Sequence, residues 1–317
     1  MLALEVGSSP VLLFFQALHS TNQPAGYLLR VPKAGTTAYP YSELQSYWET
    51  SIRPLFEEDD LVQQYLVPLD DSAIIARLNA VLQSSDSLRR KEFQGSRVSS
   101  TATVGMLVES MNKKHPSDIV FEFKPKWLSQ SPSAPPSAVR CRNCAREVQK
   151  RNSKPSPPPP NTDNPIDCPL MLLDPPSLTQ SLTTLLSPSL PSPDESTDHY
   201  RTRLSHWLQT NTLLPRLRFL QQSNDPLGPL AADPSNPAFQ LAMTVRDCSV
   251  FIRIPADPTL PVEACIADLD KKNWEAKAEY WRATERGLIE GRYYEGKEVP
   301  RWQTSCLLER EKGTERQ

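Results

Sequence analysis

The chain has 317 residues, enough for one large domain or two packed lobes. Lys and Arg total 35 against 37 Asp and Glu, a net charge of −2, so no global basic excess points to nucleic acid and any anion site must come from local clustering. No apolar run approaches bilayer length, and the six cysteines (141, 144, 168, 248, 265 and 306) are too sparse for a disulfide scaffold. These features predict a reduced, intracellular protein of the nucleus or cytoplasm, with no membrane partner. The opening MLALEVGSSPVLLFF lacks a basic leader and reads as a buried strand rather than a signal peptide.

Residues 10–15 and 26–31 predict two strands flanking a polar tip. Residues 41–48 and 72–82 predict helices, the second because Ile74, Ile75, Leu78, Val81 and Leu82 recur at helical spacing. Residues 103–108 and 119–124 predict further strands, so the first part is a small mixed lobe with a mostly antiparallel sheet. Residues 129–136 and 152–165 are dominated by Pro and Ser and predict solvated insertions, since proline lacks the donor that a helix or central strand requires. Residues 174–197 predict two short, proline-broken helices, followed by helices over 198–209 and 213–222. Residues 239–245 lead into a strand in which Cys248, Val250 and Ile252 share one face. Residues 262–269 predict a strand and 274–288 a helix, and the charged tail after Tyr294 is expected to fray.

Three groups of residues can carry chemistry. In the stretch FEFKPKWL, residues 121–128, Phe121, Phe123 and Trp127 alternate with Glu122, Lys124 and Lys126. Two ammonium groups on one face of an extended segment make sense if their heads converge on an anion. Asp247, Asp268 and Asp270 lie beside strand-like runs, where Asp suits either a turn or a Mg²⁺ held with phosphate oxygens. With Lys271, Lys272, Lys277 and the arginines at 140, 142, 146, 246 and 253, a local basic pocket suited to phosphoryl transfer can form around these acids. Cys141 and Cys144 have the spacing of half a zinc site. Cys168 and the histidines at 19, 115, 199 and 206 are the spare ligands, and an incidental pair of reduced thiols accounts for the spacing equally well. No hydrolase, Walker or dinucleotide-binding motif occurs.

Three strings in order, Glu122-Phe-Lys-Pro-Lys126, Arg246-Asp-Cys-Ser-Val250 and Asp268-Leu-Asp270, resemble the inositol-pentakisphosphate 2-kinase family, whose first motif is E-I-K-P-K. Cys141-Arg-Asn-Cys144 and Cys168-Pro-Leu170 resemble its fungal branch, and weaker similarity runs from about residue 27 to 294. The resemblance implies an α+β, two-lobed kinase-like fold. Its N-lobe on the nucleotide side would span 1–111, and its C-lobe on the inositol phosphate and Mg²⁺ side 112–312, with the Pro-rich insertion at about 129–165. It implies transfer of the γ-phosphoryl of ATP to the 2-hydroxyl of inositol pentakisphosphate by a monomer using ATP and Mg²⁺.

Carried over residue by residue, the resemblance implies Asp247 as the catalytic acid that accepts the hydroxyl proton and Lys124 as the contact to the transferring phosphate. Arg30, Glu109, Met111 and Asp268 fall on the nucleotide side, with Asp268 and Asp270 as the Mg²⁺ acids. Lys126, Arg142, Lys272, Lys277 and Tyr280 are the implied inositol phosphate contacts. The family's glycine-rich loop, G-E-G-A-A-N, corresponds here to Glu5-Val-Gly-Ser-Ser-Pro10, which keeps one glycine. That departure leaves a catalytically weakened binding relative as the alternative.

Overall fold

The structure is a computed structural model and describes residues 4–5, 11–13, 26–69, 72–89, 91–154, 166, 168–178 and 198–314. The chain is mixed α+β and divides into two compact units, Met1–Lys113 with Cys265–Asn273, and Lys114–Ala264 with Trp274–Gln317. The acidic run at 268–270, expected with the C-lobe, is therefore grouped with the first unit.

The first unit is built on a five-stranded antiparallel sheet, in the order β1-β2-β3-β5-β4. Its strands are β1 (Leu4–Glu5), β2 (Val11–Leu13), β3 (Tyr27–Val31), β4 (Gln64–Pro68) and β5 (Val104–Glu109). Arg30 is central, opposite Leu12 on one side and Met106 on the other. The expected strands are present, while β4 was not foreseen. Its sequence QYLVP ends in proline and is half exposed, as befits an edge. Helix α1 (Tyr41–Tyr47) runs into a wider π-helical turn, Trp48–Ile52. Helix α2 (Ser72–Ser84) places Ile75, Leu78 and Leu82 against Val31, Leu69 and Val98, the core on one face of the sheet. Tyr41, Leu44 and Met106 form a second cluster.

The second unit has helices α3 (Arg142–Asn152), α4 (Asp198–Thr210), α5 (Leu213–Asn224), α6 (Pro237–Val245), α7 (Trp274–Glu290) and α8 (Leu307–Thr314). Its strands β6 (Ile119–Phe123), β7 (Ser249–Ile254) and β8 (Glu263–Ala267) form a sheet in the order β6-β7-β8, and β8 continues into the segment counted with the first unit. β6 and β7 are antiparallel, with Phe121 opposite Ile252 and Glu122 opposite Phe251. Phe121, Val250, Ile252 and Ile254 are buried, as the alternating pattern requires.

Three expectations are corrected. Residues 129–136 are not a solvated insertion. Ser129, Ser131 and Ala138 are buried, and the Ser131 hydroxyl donates to Glu285 Oε1 at 2.8 Å. A Cβ on Gly228, whose φ is +77°, would lie 2.6 Å from the Ser133 backbone nitrogen, so that approach needs glycine. Residues 155–165 lie outside the described residues, as do 179–197 with the helices expected there.

Nor does the tail after Tyr294 fray over its described residues, 295–314. Arg140 is buried, donating to Glu298 Oε1 at 2.7 Å, to the Trp302 carbonyl at 2.6 Å and to Glu309 Oε2 at 3.3 Å. Two of the tail's acids, Glu298 and Glu309, thus partner one buried guanidinium, and its Trp302 and Cys306 join the core. Third, the expected arginine pocket is largely buried guanidiniums held in ion pairs: Arg142 with Glu285, Arg246 with Asp225, and Arg253 with Asp118 and the partly exposed Glu263. Guanidinium and carboxylate at fixed geometry are the form in which charge is tolerated in a core.

Candidate active site

In the second unit the sequence K-P-K ends a strand and turns it. Pro125 cannot donate to a ladder and restricts Lys124 to extended backbone, so β6 stops at Phe123. Lys126 then adopts a left-handed conformation, φ +54°. For a side chain with a Cβ this costs about 1–2 kcal/mol, and such strain concentrates at functional positions. Trp127 and Leu128 are buried immediately after it.

Both lysines converge on one residue. Lys124 Nζ donates to the Asp247 carbonyl oxygen at 2.9 Å, and Lys126 Nζ to Asp247 Oδ1 at 3.1 Å. Asp247 follows α6, its amide donating to the Thr244 carbonyl at 3.0 Å, and it precedes β7. The side chains of Lys126 and Asp247 are 42% and 51% exposed, so the pair contributes at most about 1 kcal/mol and is readily exchanged for a stronger anion. Glu122 Oε1 accepts the Ser249 hydroxyl at 2.5 Å, tying β6 to the start of β7.

Behind this pair lies a buried support. The guanidiniums of Arg142 and Arg246 sit over the Trp127 ring, 4.3 and 3.5 Å from its centroid. Arg246 Nη1 donates to Asp225 Oδ2 at 2.5 Å, and burial pushes Arg246 down to about 10 although Asp225 opposes it. Arg142, implied as a substrate contact, is buried and donates through Nε to Glu285 Oε2 at 2.7 Å. On α7, Lys277 lies over the Tyr280 ring, and Arg146 Nη2 donates to the Tyr280 hydroxyl at 3.2 Å. Burial pushes the Tyr280 phenol up, but the hydrogen bond and charge of Arg146, with Thr284 and Lys150, together leave the group below its ordinary value.

In the first unit, Arg30 pairs with both carboxylate oxygens of Asp270, with Nη1 at 2.8 Å from Oδ1. Burial opposes the charge on Arg30, yet Asp270 holds its pKa above the ordinary value. Tyr41 stacks under the same guanidinium, and burial pushes its phenol up. Asp268 is left-handed, φ +59°, and Lys271 donates to Glu43 Oε1 at 2.6 Å. Lys272, in the same segment, is half-buried. Glu109 is the last residue of β5, opposite Tyr27, and its Oε2 accepts from the Gln63 amide. Met111 Sδ lies 3.1 Å from Cys265 Sγ. Most of the degenerate loop, residues 6–10, lies outside the described residues.

Cys141 and Cys144 are joined by two further cysteines, one of which sequence spacing could not supply. Cys141, Cys144, Cys168 and Cys306 place their sulfurs within 4.8 Å of one another, all buried. Cys168 is 3.8 Å from Cys141 and 4.0 Å from Cys306. Four thiolates around Zn²⁺ at about 2.3 Å stand about 3.8 Å apart, so the donor set fits a closed tetrahedral site. Cys141 caps the N-terminus of α3, accepting from the Cys144 amide, and the Cys141 amide donates to Cys306 Sγ at 3.1 Å. These bonds favour thiolate. Hydrogen bonding from Cys141, Cys144 and Cys168 holds Cys306 far below the ordinary thiol value, while the same contacts push Cys144 up. Cys306 was missed because 165 residues separate it from Cys141.

The arrangement defines a class: a mixed α+β protein presenting a carboxylate flanked by two lysines, a charge pattern suited to an anionic ligand. The sequence profile of the family described as Inositol-pentakisphosphate 2-kinase matches residues 7–287. The chain belongs to this family. It is 32% identical over 190 residues to the inositol-pentakisphosphate 2-kinase of Yarrowia lipolytica, covering 59% of this chain and 56% of that protein. It is 31% identical over 173 residues to that of Eremothecium gossypii, covering 54% of each. The chain thus spans about half the length of these curated relatives. Among the described residues no helix is long and apolar enough to cross a membrane.

Proposed function

We propose that the chain is a two-lobed, kinase-like enzyme that transfers the γ-phosphoryl of ATP to the 2-hydroxyl of inositol 1,3,4,5,6-pentakisphosphate, giving the hexakisphosphate. The observation that carries this reading is the convergence of Lys124 and Lys126 on Asp247, all within the stretch that the family's profile matches.

Asp247 is the base that takes the hydroxyl proton. Its carboxylate is half exposed, within reach of a solvent-borne substrate, and its position is fixed by the Thr244 carbonyl and by Lys124 on its own carbonyl. Lys126 neutralises Asp247 at rest. When a polyphosphate enters, the ammonium moves to the stronger anion and Asp247 is freed to accept a proton. Lys124 faces the transferring phosphoryl. Lys277, Tyr280 and Lys272 supply the outer inositol phosphate contacts, while Arg142 acts from inside through Trp127 and Glu285.

Asp268 is the acid suited to hold Mg²⁺, since both oxygens of Asp270 are engaged by Arg30. The ion supplies charge neutralisation on phosphate oxygens when bound. Asp270 supports Asp268 by anchoring the segment to β3 through Arg30. The four-thiol cluster holds one structural Zn²⁺, being closed and buried.

The test is incubation with labelled ATP, Mg²⁺ and inositol pentakisphosphate. A labelled hexakisphosphate is the expected product, and its absence with a folded, metal-loaded protein rejects the reading.

A further inference from the structure

Gln221 is a fully buried glutamine on α5, a placement that costs stability unless each polar atom of its amide is paired. Its Oε1 accepts the Leu128 amide at 2.8 Å, and its Nε2 donates to the Lys126 carbonyl at 2.8 Å and to the Val245 carbonyl at 3.3 Å. Its own carbonyl accepts Arg246 Nη2 at 3.3 Å. All four bonds go to two short segments, 126–128 and 245–246, which abut the residues that meet at the surface, Lys126 and Asp247.

Lys126 stands in left-handed backbone with no glycine to make that inexpensive. The amide of Gln221 spans this turn, taking the carbonyl of Lys126 and the amide two residues on. Its third bond joins the turn to the end of α6, from which Asp247 projects. We propose that Gln221 is a positioning residue that locks the left-handed turn at Lys126 and sets the register between the Lys126 and Asp247 side chains. Asp225, one helical turn along from Gln221, completes the lock by holding Arg246 against Trp127.

The role assigned to Lys126 rests on the kinase reading, but the lock can be read without it. Gln221→Met removes both donors and the acceptor at similar volume. Gln221→Glu keeps the acceptor for Leu128 and loses the donors. Hydrogen exchange at the Leu128 amide is expected to rise by about tenfold or more in Gln221→Met and to stay protected in Gln221→Glu. Protection unchanged in both variants overturns the lock, whatever the protein catalyses.

With substrate, either variant is expected to lower kcat/KM for inositol pentakisphosphate by about 10- to 100-fold in the native background. In the Lys126→Ala background the further loss is expected to be within about threefold, because the side chain being positioned is gone. An equal loss in both backgrounds shows a general structural effect and overturns the positioning role. If Gln221→Met does not fold, the Gln221→Glu cycle decides the same point. A folded native chain that makes no hexakisphosphate rejects the kinase reading and leaves the exchange experiment to judge the lock.

Discussion

Arg30 and Asp270, 240 positions apart in the chain, share a two-pronged ion pair inside the first unit. Arg30 sits in the middle of β3 and Asp270 in the loop after β8, so the pair joins the sheet to the segment that carries Asp268. Breaking one side of a buried pair leaves a desolvated charge, which costs more than the pair itself contributes. Asp270→Ala is expected to destabilise the chain by about 3–5 kcal/mol in urea unfolding. The double variant Arg30→Met with Asp270→Leu is expected to recover most of that. A double variant no more stable than the single would refute the argument.

Asp247→Asn keeps the shape of the side chain and removes the base. Turnover is expected to fall by about 10²- to 10⁴-fold, while the dissociation constant for inositol pentakisphosphate stays within about threefold. Rapid-quench and calorimetric measurements separate the two. Loss of binding in parallel with turnover would reassign Asp247 from the proton to the substrate.

The thiol cluster predicts one zinc per chain by atomic emission, and cobalt in its place should show thiolate charge-transfer absorption. Stripping the metal with a strong chelator is expected to lower the thermal midpoint by about 10 °C or more, since a structural zinc contributes directly to folding. Cys306→Ser should give the same shift without chelator. Native chain that melts unchanged after stripping would leave the cluster without a metal.

Asp86 accepts from Arg89 at 2.7 Å, from Arg97 at 2.6 Å and from the Gly95 amide at 3.2 Å. The Arg97 hydrogen bond, foremost among these, lowers its pKa to about 2. Because the folded value lies below the unfolded one, near 3.9, Asp86 stabilises the fold above pH 4 and loses that contribution as pH falls toward 2. Asp86→Asn should therefore melt below the native chain at pH 6, with the gap closing toward pH 2. A gap independent of pH would mean the loop is held by contacts other than the carboxylate.

Legibility in the sequence followed the range of the interactions. Strands β3, β5, β6 and β7 and helices α2, α5 and α7 were readable because local periodicity specifies them, whereas K-P-K, read as part of one extended segment, instead leaves the strand and turns at Lys126. The proline-rich run at 129–136 misled because its composition says nothing of Glu285, which buries Ser131 from 154 positions away. The charged tail misled for the same reason, two of its acids, Glu298 and Glu309, being the partners of Arg140. For the thiol cluster, the C-x-x-C step of α3 was visible and the distant fourth ligand was not. Gln221 carried no signal, since one glutamine on an amphipathic helix resembles any surface residue until its neighbours are known.

Cys306 also sets an order of events during synthesis. A growing polypeptide carries Cys141, Cys144 and Cys168 through 138 further positions before the last sulfur is made. At ordinary elongation speeds that is roughly 7–30 s in which three thiols wait for the fourth. The four-thiol core of the second unit therefore cannot close before Cys306 has been made. Its completion brings the segment that carries Cys306 back onto helix α3, whose first turn holds the two earliest thiols.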